Sequence, residues 1–80
     1  MKEFRYEITE HIATISESAD RRFTLELNRI SYNGAPAKLD LRRWNRQDDR
    51  MQKGLVLTEE EAGELKAILE QIFDSVEDKR

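Results

Sequence analysis

The sequence predicts an α+β domain: a four-stranded, curved antiparallel sheet followed by one C-terminal helix, in the order ββββα, as a homodimer. Three observations predict it: four β-like runs, one amphipathic helix with a capping signal, and a length of only 80 residues without cysteine. A chain this short buries only about 60–65% of the surface that its unfolded form exposes. Disulfides and thiolate metal sites cannot supplement that core, so burial against a second copy is the remaining common source of stability. We therefore expect residues 1–80 to form a single, homodimeric domain.

The first β-like run extends from about Glu3 to Ser16. Phe4, Tyr6 and Ile8 alternate with polar residues, as they do in a strand with one buried face. After these three residues the apolar phase becomes uncertain, which predicts a bend or bulge near Thr9–Glu10. A polar segment then predicts a turn before the second strand.

The second run, from about Arg22 to Tyr32, carries its apolar residues in two phases. The phase changes at Asn28–Arg29, which predicts another bulge there. The segment NGAP at 33–36 is the strongest turn signal in the chain, because Asn and Gly tolerate positive φ and Pro cannot extend a ladder. The two phases consist of Phe23, Leu25 and Leu27 on one side and of Ile30 and Tyr32 on the other.

The third run, from Ala37 to about Trp44, alternates apolar and polar side chains. Because side chains two residues apart in a strand share a side, its leucines are expected on one face and its charged residues with Trp44 on the other. These two sets are Leu39 and Leu41, and Lys38, Asp40, Arg42 and Trp44. A polar loop follows, and the fourth run is Lys53 to Leu57.

The helix is the clearest element. Thr58 is its predicted N-cap, and Glu61 three residues later completes a capping box. Apolar residues then recur in steps of three and four at Ala62, Leu65, Leu69, Ile72 and Val76, and Ile68 and Phe73 widen this stripe. This stripe is wider than one small sheet needs, so we expect part of it to serve the dimer interface through Leu65, Leu69, Ile72 and Phe73. The alternative is that the whole stripe packs on its own sheet.

The net charge is −3, but the charges are segregated along the chain. Residues 21–53 contain nine basic and four acidic side chains, a balance of +5, whereas residues 59–80 have a balance of −5. Such segregation is expected when one face of a protein meets a polyanion and another faces water. A solvated acidic helix beside an ordinary mixed sheet is the alternative.

Catalytic and membrane patterns are missing from the sequence. It has no cysteine nucleophile, no glycine-rich phosphate loop and no Walker-type lysine, and its one histidine, His11, falls within a strand. No apolar segment reaches the length of a signal peptide or a membrane span. We therefore expect a cytoplasmic binding protein that has no enzyme activity and takes no cofactor, metal or small-molecule substrate.

Lys38, Arg42 and Trp44 carry the binding hypothesis. An exposed indole between cations suits a single-stranded nucleic acid, because arginines neutralise phosphates while unpaired bases stack on the ring. Each stacked base contributes about 1–3 kcal/mol to the binding free energy. Duplex DNA offers no accessible base faces. The alternative at this position is structural: Trp44 caps the edge of the core and the neighbouring arginines solvate it.

The segments LDLRRW and MQKGLVLTEEEAGELKAIL resemble the positive cofactor four family of single-stranded-DNA-binding proteins, in particular its bacterial YdbC-like branch. The segment ELNRISYNGAPAKLDLRRW extends the resemblance to most of the chain, from about Phe4 to Leu69. It implies a homodimer that acts in transcription, replication or repair, in the cytoplasm and nucleoid of a bacterium. Phosphorylation-controlled coactivation is not implied, because no Ser- and Lys-rich region precedes the first strand.

Residue by residue, the resemblance assigns the phosphate-contacting arginine to Arg42, the stacking aromatic to Trp44 and the lysine of the K-G step to Lys53. The complete candidate set for nucleic-acid binding is Arg22, Arg29, Tyr32, Lys38, Arg42, Trp44, Arg46 and Lys53. A protein–protein adaptor, with Trp44 and its arginines as a hot spot, is the alternative function. Both require an exposed indole, and the sequence does not distinguish DNA from RNA.

Overall fold

The computed structural model describes residues 4–78, with side chains up to residue 74. Four strands form one antiparallel sheet in the order β1-β2-β3-β4, and one helix follows, which confirms the predicted ββββα architecture. The predicted start at Glu3 and the side chain of Val76 lie outside the described residues. The elements are β1 (Tyr6–Glu17), β2 (Phe23–Tyr32), β3 (Lys38–Asn45), β4 (Arg50–Leu57) and α1 (Glu59–Asp78).

The predicted NGAP turn joins β2 to β3. Asn33 and Gly34 both have left-handed backbones, with φ of 53° and 81°, and the amide of Ala35 donates to the carbonyl of Tyr32 at 3.0 Å. Two central residues with positive φ match the twist of the flanking strands. This turn therefore fixes the register between the two central strands of the sheet.

Strand β1 is bulged three times. Its pairing with β2 shifts between Ile8 and Glu10, between His11 and Ala13, and between Thr14 and Ser16. One residue is left without a paired neighbour each time, and these residues are Thr9, Ile12 and Ile15. The bulge predicted near Thr9–Glu10 is confirmed. The other two explain why the apolar residues of this strand do not alternate regularly in the sequence, since each bulge shifts the following side chains to the other face.

Strand β2 has no bulge of its own. Its pairing with β3 runs without interruption from Phe23 to Ile30, so the bulge predicted at Asn28–Arg29 is wrong. The apparent phase change arises because β2 is a central strand with apolar residues on both of its faces. Leu27 and Ile30 simply belong to opposite faces of the sheet.

One face of the sheet is strongly concave. Tyr6 pairs with Tyr32, whereas Trp44 pairs with Thr24, and eight residues of an extended strand span about 26 Å. The ring centroids of Tyr6 and Trp44 are nevertheless only 5.9 Å apart. Side chains from distant rows thus converge over this surface, which we call the concave face. It holds much of the buried core, including Ile30, Trp44, Asn28 and Asp40.

The opposite, convex face is lined by leucines, of which Leu39 is buried, Leu55 is half exposed and the other four are half-buried. The leucines are Leu25, Leu27, Leu39, Leu41, Leu55 and Leu57. Helix α1 packs against β3 and β4 and meets β2 through the ion pair between Glu59 and Arg29. Its apolar side chains Leu65, Ile68, Leu69, Ile72 and Phe73 remain 38–61% exposed. The alternative that the whole stripe packs on its own sheet is therefore wrong. The helix begins beside the sheet and then extends beyond it.

The start of the helix is fixed by the predicted capping box. The amide of Glu61 donates to Thr58 Oγ1 at 3.0 Å, and the amide of Thr58 donates to Glu61 Oε1 at 2.9 Å. A charged contact adds to this anchor, because Arg29 Nη1 lies 2.6 Å from Glu59 Oε2. These contacts set where the helix leaves the sheet.

Candidate nucleic-acid interface

Asp40 and Arg42 form an ion pair on the concave face. Asp40 is fully buried, and both of its carboxylate oxygens accept from Arg42, at 2.7 Å from Nε and 2.8 Å from Nη2. Arg42 Nη1 donates to the carbonyl of Gln52 at 3.0 Å. The carboxylate raises the pKa of Arg42. The guanidinium is thus committed to the protein's own carboxylate and backbone.

Tyr32 completes this network. Its hydroxyl donates to Asp40 Oδ2 and accepts from Arg42 Nη2. Burial, together with the adjacent Asp40 carboxylate, raises the pKa of Tyr32 to about 12. The phenol therefore stays neutral at physiological pH, and its ring lies close to those of Phe4 and Tyr6.

A second network surrounds Glu26, which is only 4% exposed. Arg46 binds it with two donors, Nε at 2.9 Å and Nη2 at 2.6 Å, and the hydroxyl of Thr24 donates to it at 2.6 Å. Burial by itself raises the pKa of Glu26, but these hydrogen bonds outweigh it and hold the pKa below its ordinary value. Asn28 links the network to β1, since its side-chain oxygen accepts from His11 Nδ1 at 2.6 Å.

Four aromatic rings cluster over the concave face. Phe4 lies 6.1 Å from Tyr6 and 5.9 Å from Tyr32, and Tyr6 lies 5.9 Å from Trp44, all in tilted arrangements. Such tilted pairs are favourable for aromatic side chains. Phe4 is 66% exposed and Tyr6 37% exposed. The cluster thus presents two accessible rings and keeps the indole beneath them.

The prediction that Trp44 stands open on the sheet is wrong. Only 1% of the residue is exposed, because Tyr6 covers it from β1 and the guanidinium of Arg46 lies 4.6 Å from its ring centre. Among the side chains that the structure describes, the indole nitrogen finds no hydrogen-bond partner. The sequence places Trp44 on the correct face but cannot show that the sheet bends so far that Tyr6 of β1 covers the indole.

The other predicted binding residues divide between the two faces and the edges of the sheet. Lys38 is exposed on the concave side, opposite Ile30, and Lys53 is exposed on edge strand β4. Arg22 is exposed just before β2, with its guanidinium 5.4 Å from the ring centre of Phe23. Arg29 belongs to the opposite face and is bound to Glu59, so the structure does not bring it to the concave site.

Gly54 explains the K-G step in physical terms. It pairs directly with Arg42 across β3 and β4, and a Cβ at this position would stand 1.9 Å from the Cβ of Arg42. Only glycine allows the two strands to approach so closely. The glycine thus serves the buried ion pair on the neighbouring strand.

Sequence reasoning missed Phe4 and Tyr6 as site residues. A signal was present, because both lie in the same alternating phase of the first run and are aromatic. It also missed Glu26 and Asp40 as buried counter-charges. Asp40 is two residues before Arg42 and therefore shares its face, which is the spacing of an ion pair along one strand.

The part of the chain that the structure describes contains neither a metal-ligand cluster nor a membrane-spanning helix. No cluster of three or more histidine, aspartate or glutamate side chains there could hold a metal ion. No helix in this part of the chain combines the length and the apolar character needed to cross a membrane. His11 is engaged with Asn28 and also meets the hydroxyl of Thr14 at 3.3 Å.

No protein-family model matches the sequence. A protein of Treponema pallidum (strain Nichols) is 40% identical to it over 67 residues, which cover 84% of this chain and 78% of that protein. The Treponema protein is described only as uncharacterized. The two proteins therefore belong to one family, and the description of the Treponema protein gives no function.

Proposed function

We propose that this chain, which belongs to the same family as the uncharacterized Treponema pallidum protein, is a homodimer that binds single-stranded nucleic acid on its concave face. The observation that carries the proposal is the pair of accessible rings, Phe4 and Tyr6, on the face that also presents Lys38. The proposal keeps the function implied by the resemblance to the positive cofactor four family and changes the residues that perform it.

Exposed rings beside a cation favour unpaired bases as the ligand. Bases that are free of a duplex can stack on aromatic side chains regardless of their identity, while lysine and arginine neutralise the phosphates. Phe4 and Tyr6 offer such ring surface, whereas Trp44 lies underneath and supports Tyr6. The Trp44-centred adaptor hypothesis loses its premise, since a buried indole cannot anchor a partner protein.

Only some of the cations that the sequence suggested are available to a ligand. Arg42 and Arg46 are neutralised by Asp40 and Glu26. Within the described residues, Lys38 on the concave face and Lys53 on edge strand β4 are exposed and form no ion pair. When these two side chains neutralise phosphates, the nucleic acid releases its counterions.

The surface of a single chain supports self-association. Its accessible area is 6577 Å², whereas a folded monomer of 9.5 kDa has about 5,000 Å². Its radius of gyration is 15.3 Å, against about 12 Å for a compact domain of this length. An excess of about 1,500 Å² per chain lies in the range that stable homodimers bury.

Two apolar surfaces of the same chain can account for that excess. The helix stripe includes the four predicted interface residues Leu65, Leu69, Ile72 and Phe73, and all four are exposed. The leucines of the convex face also lack a covering layer beyond the start of the helix. Because the two surfaces are complementary in chemistry and lie apart on one chain, helix α1 of each copy can cover the convex face of the other.

Fluorescence anisotropy with labelled oligo-dT and a duplex of equal length tests the binding function. The wild-type protein should prefer the single strand, and its affinity should fall steeply between 50 and 200 mM salt, as expected when counterions are released. Tyr6→Ala and Phe4→Ala should each weaken oligo-dT binding roughly five- to a hundredfold, since each stacked base is worth about 1–3 kcal/mol.

Two variants serve as controls. Phe4→Trp keeps an aromatic surface and should retain affinity. Ile15→Ala removes an exposed apolar side chain from β1 that is not part of the ring cluster, and should leave binding unchanged. Equal affinity for duplex and single strand, or unchanged binding in both alanine variants of the rings, would refute the proposal. Parallel titrations with oligo-U decide between DNA and RNA.

A further inference from the structure

We propose that the indole N–H of Trp44 donates a hydrogen bond to a carbonyl oxygen of an unpaired base, and that Tyr6 must move aside to admit that base. This inference rests on the proposed function and deepens it, because it gives the concave face a preference among bases. Trp44 would then read the edge of a base instead of offering a surface for stacking.

The first observation is an unused donor in a buried place. Trp44 is 99% buried, and its indole nitrogen meets no acceptor among the described side chains and backbone. A buried donor without an acceptor is unfavourable, because it has given up its hydrogen bond to water and gained none in return. By contrast, the neighbouring polar groups are well satisfied, because Thr24, Asn28 and Arg46 each donate a hydrogen bond to the carboxylate of Glu26. The indole N–H of Trp44 lies beside this network and has no acceptor, so a ligand that supplies an acceptor gains a hydrogen bond there.

The second observation is the nature of the cover. Tyr6 is the first residue of β1, and its ring is the aromatic neighbour of Trp44. Phe4, which packs on Tyr6, precedes the strand and is mostly exposed. Rotation of these two side chains breaks ring contacts and no backbone ladder, because the neighbouring Arg5 keeps its bonds with Asn33, at 2.8 Å and 2.9 Å.

The surrounding charges favour a neutral acceptor. The carboxylate of Glu26 accepts a hydrogen bond from the hydroxyl of Thr24, and Thr24 pairs with Trp44 across β2 and β3. Arg46, which lies over the indole, is already bound by Glu26 and Asp49. A phosphate brought to this position would face a buried carboxylate without a free cation to offset it. A base carbonyl is neutral and accepts one hydrogen bond from one donor.

The inference predicts a preference among homopolymers. Thymine, cytosine and guanine carry carbonyl oxygens, whereas adenine carries none. Oligo-dT should therefore bind more tightly than oligo-dA of the same length. Adenine strands also stack on themselves, which by itself lowers their affinity for the protein. The ratio of the two affinities in the wild type is therefore used only as the reference for variants.

The decisive measurement is that ratio in Trp44→Phe, which keeps an aromatic ring in place and removes the donor. We expect oligo-dT affinity to fall about two- to tenfold, the range for one net hydrogen bond, while oligo-dA affinity stays the same. If both affinities fall by the same factor, the indole acts structurally or on the phosphate backbone, and the inference is overturned.

A second measurement does not depend on a variant that must fold. Trp44 is the one tryptophan of the chain, so the protein labelled with ¹⁵N gives a single indole cross-peak. That peak should move downfield on addition of oligo-dT and less on addition of oligo-dA. An indole proton that does not respond to oligo-dT overturns the inference. If no single strand binds at all, the proposed function fails instead, so the two failures are distinguishable.

Discussion

Gly54 and Arg42 lie directly opposite each other on β4 and β3, so close that no Cβ fits between them. A Cβ on Gly54 would lie 1.9 Å from Arg42 Cβ and 2.7 Å from the carbonyl oxygen of Leu41. Neither group can give way without shifting β3. The approach also lets Arg42 reach the carbonyl of Gln52 on the same neighbouring strand.

Gly54→Ala should therefore destabilise the fold by about 1–3 kcal/mol or more, the cost of overpacking at a rigid site. Urea unfolding monitored by circular dichroism measures it. Gly63→Ala is the matched control, because nothing lies within 4 Å of its Cβ position. In a helix interior that change should stabilise by up to about 1 kcal/mol. Equal effects of the two substitutions would contradict the close approach described for Gly54.

Arg42→Met should cost about 3–5 kcal/mol of folding free energy, because it leaves the carboxylate of Asp40 buried without its partner. The double variant Asp40→Leu with Arg42→Met should recover much of that loss, since no charge then stays buried. Chemical denaturation of the three proteins gives the comparison. If Arg42→Met keeps its stability but loses oligo-dT binding, Arg42 contacts phosphate directly, as the sequence resemblance implies.

Tyr32 should make the protein sensitive to alkali. Its pKa is raised from 10.0 to about 12 in the folded state, so between these values the unfolded chain loses a proton that the folded chain keeps. Stability contributed by the neutral phenol is complete below pH 10 and falls as pH rises towards 12. The difference in unfolding free energy between the wild type and Tyr32→Phe, measured at pH 9 and pH 11, should shrink at the higher pH. A constant difference would contradict the raised pKa.

Ile72→Glu should weaken the proposed homodimer at least tenfold, because a carboxylate would have to be buried at an apolar contact. Gln71→Glu introduces the same side chain one position away, outside the apolar stripe, and should leave the association unchanged. Sedimentation equilibrium of both variants supplies the dissociation constants. A wild-type protein that sediments at 9.5 kDa at all concentrations would rule the dimer out.

The sequence predicts the architecture well because the signals are local. The NGAP turn, the Thr58–Glu61 capping box and the alternation of β3 each follow from a few neighbouring residues, and the structure confirms all three. The false bulge at Asn28–Arg29 has a different origin. A central strand is apolar on both faces, and sequence alternation does not separate a change of face from a change of register.

The candidate site is harder to predict because it depends on curvature. Alternation places Arg42 and Trp44 on one face, and this prediction is confirmed. Whether that face is open or closed depends on how β1 bends, and two of its three bulges leave no clear pattern. Tyr6 reaches Trp44 only through that bend, so the burial of the indole and the partners of Arg46 follow from the shape of the whole sheet.

The three bulges of β1 have a consequence for how copies of this protein meet. A regular strand has two rows of side chains and leaves its outer backbone free to pair with another strand. Because β1 carries an additional residue at every third position, its side chains do not fall into two alternating rows. Its outer backbone groups are then unevenly spaced, whereas a neighbouring strand requires even spacing. This edge is therefore poorly suited to pairing with a strand of another copy, which disfavours extension of the sheet on this side. Of the sheet's two borders, only the one formed by β4 keeps an even run of backbone groups, from Gly54 to Leu57, that a second chain could continue.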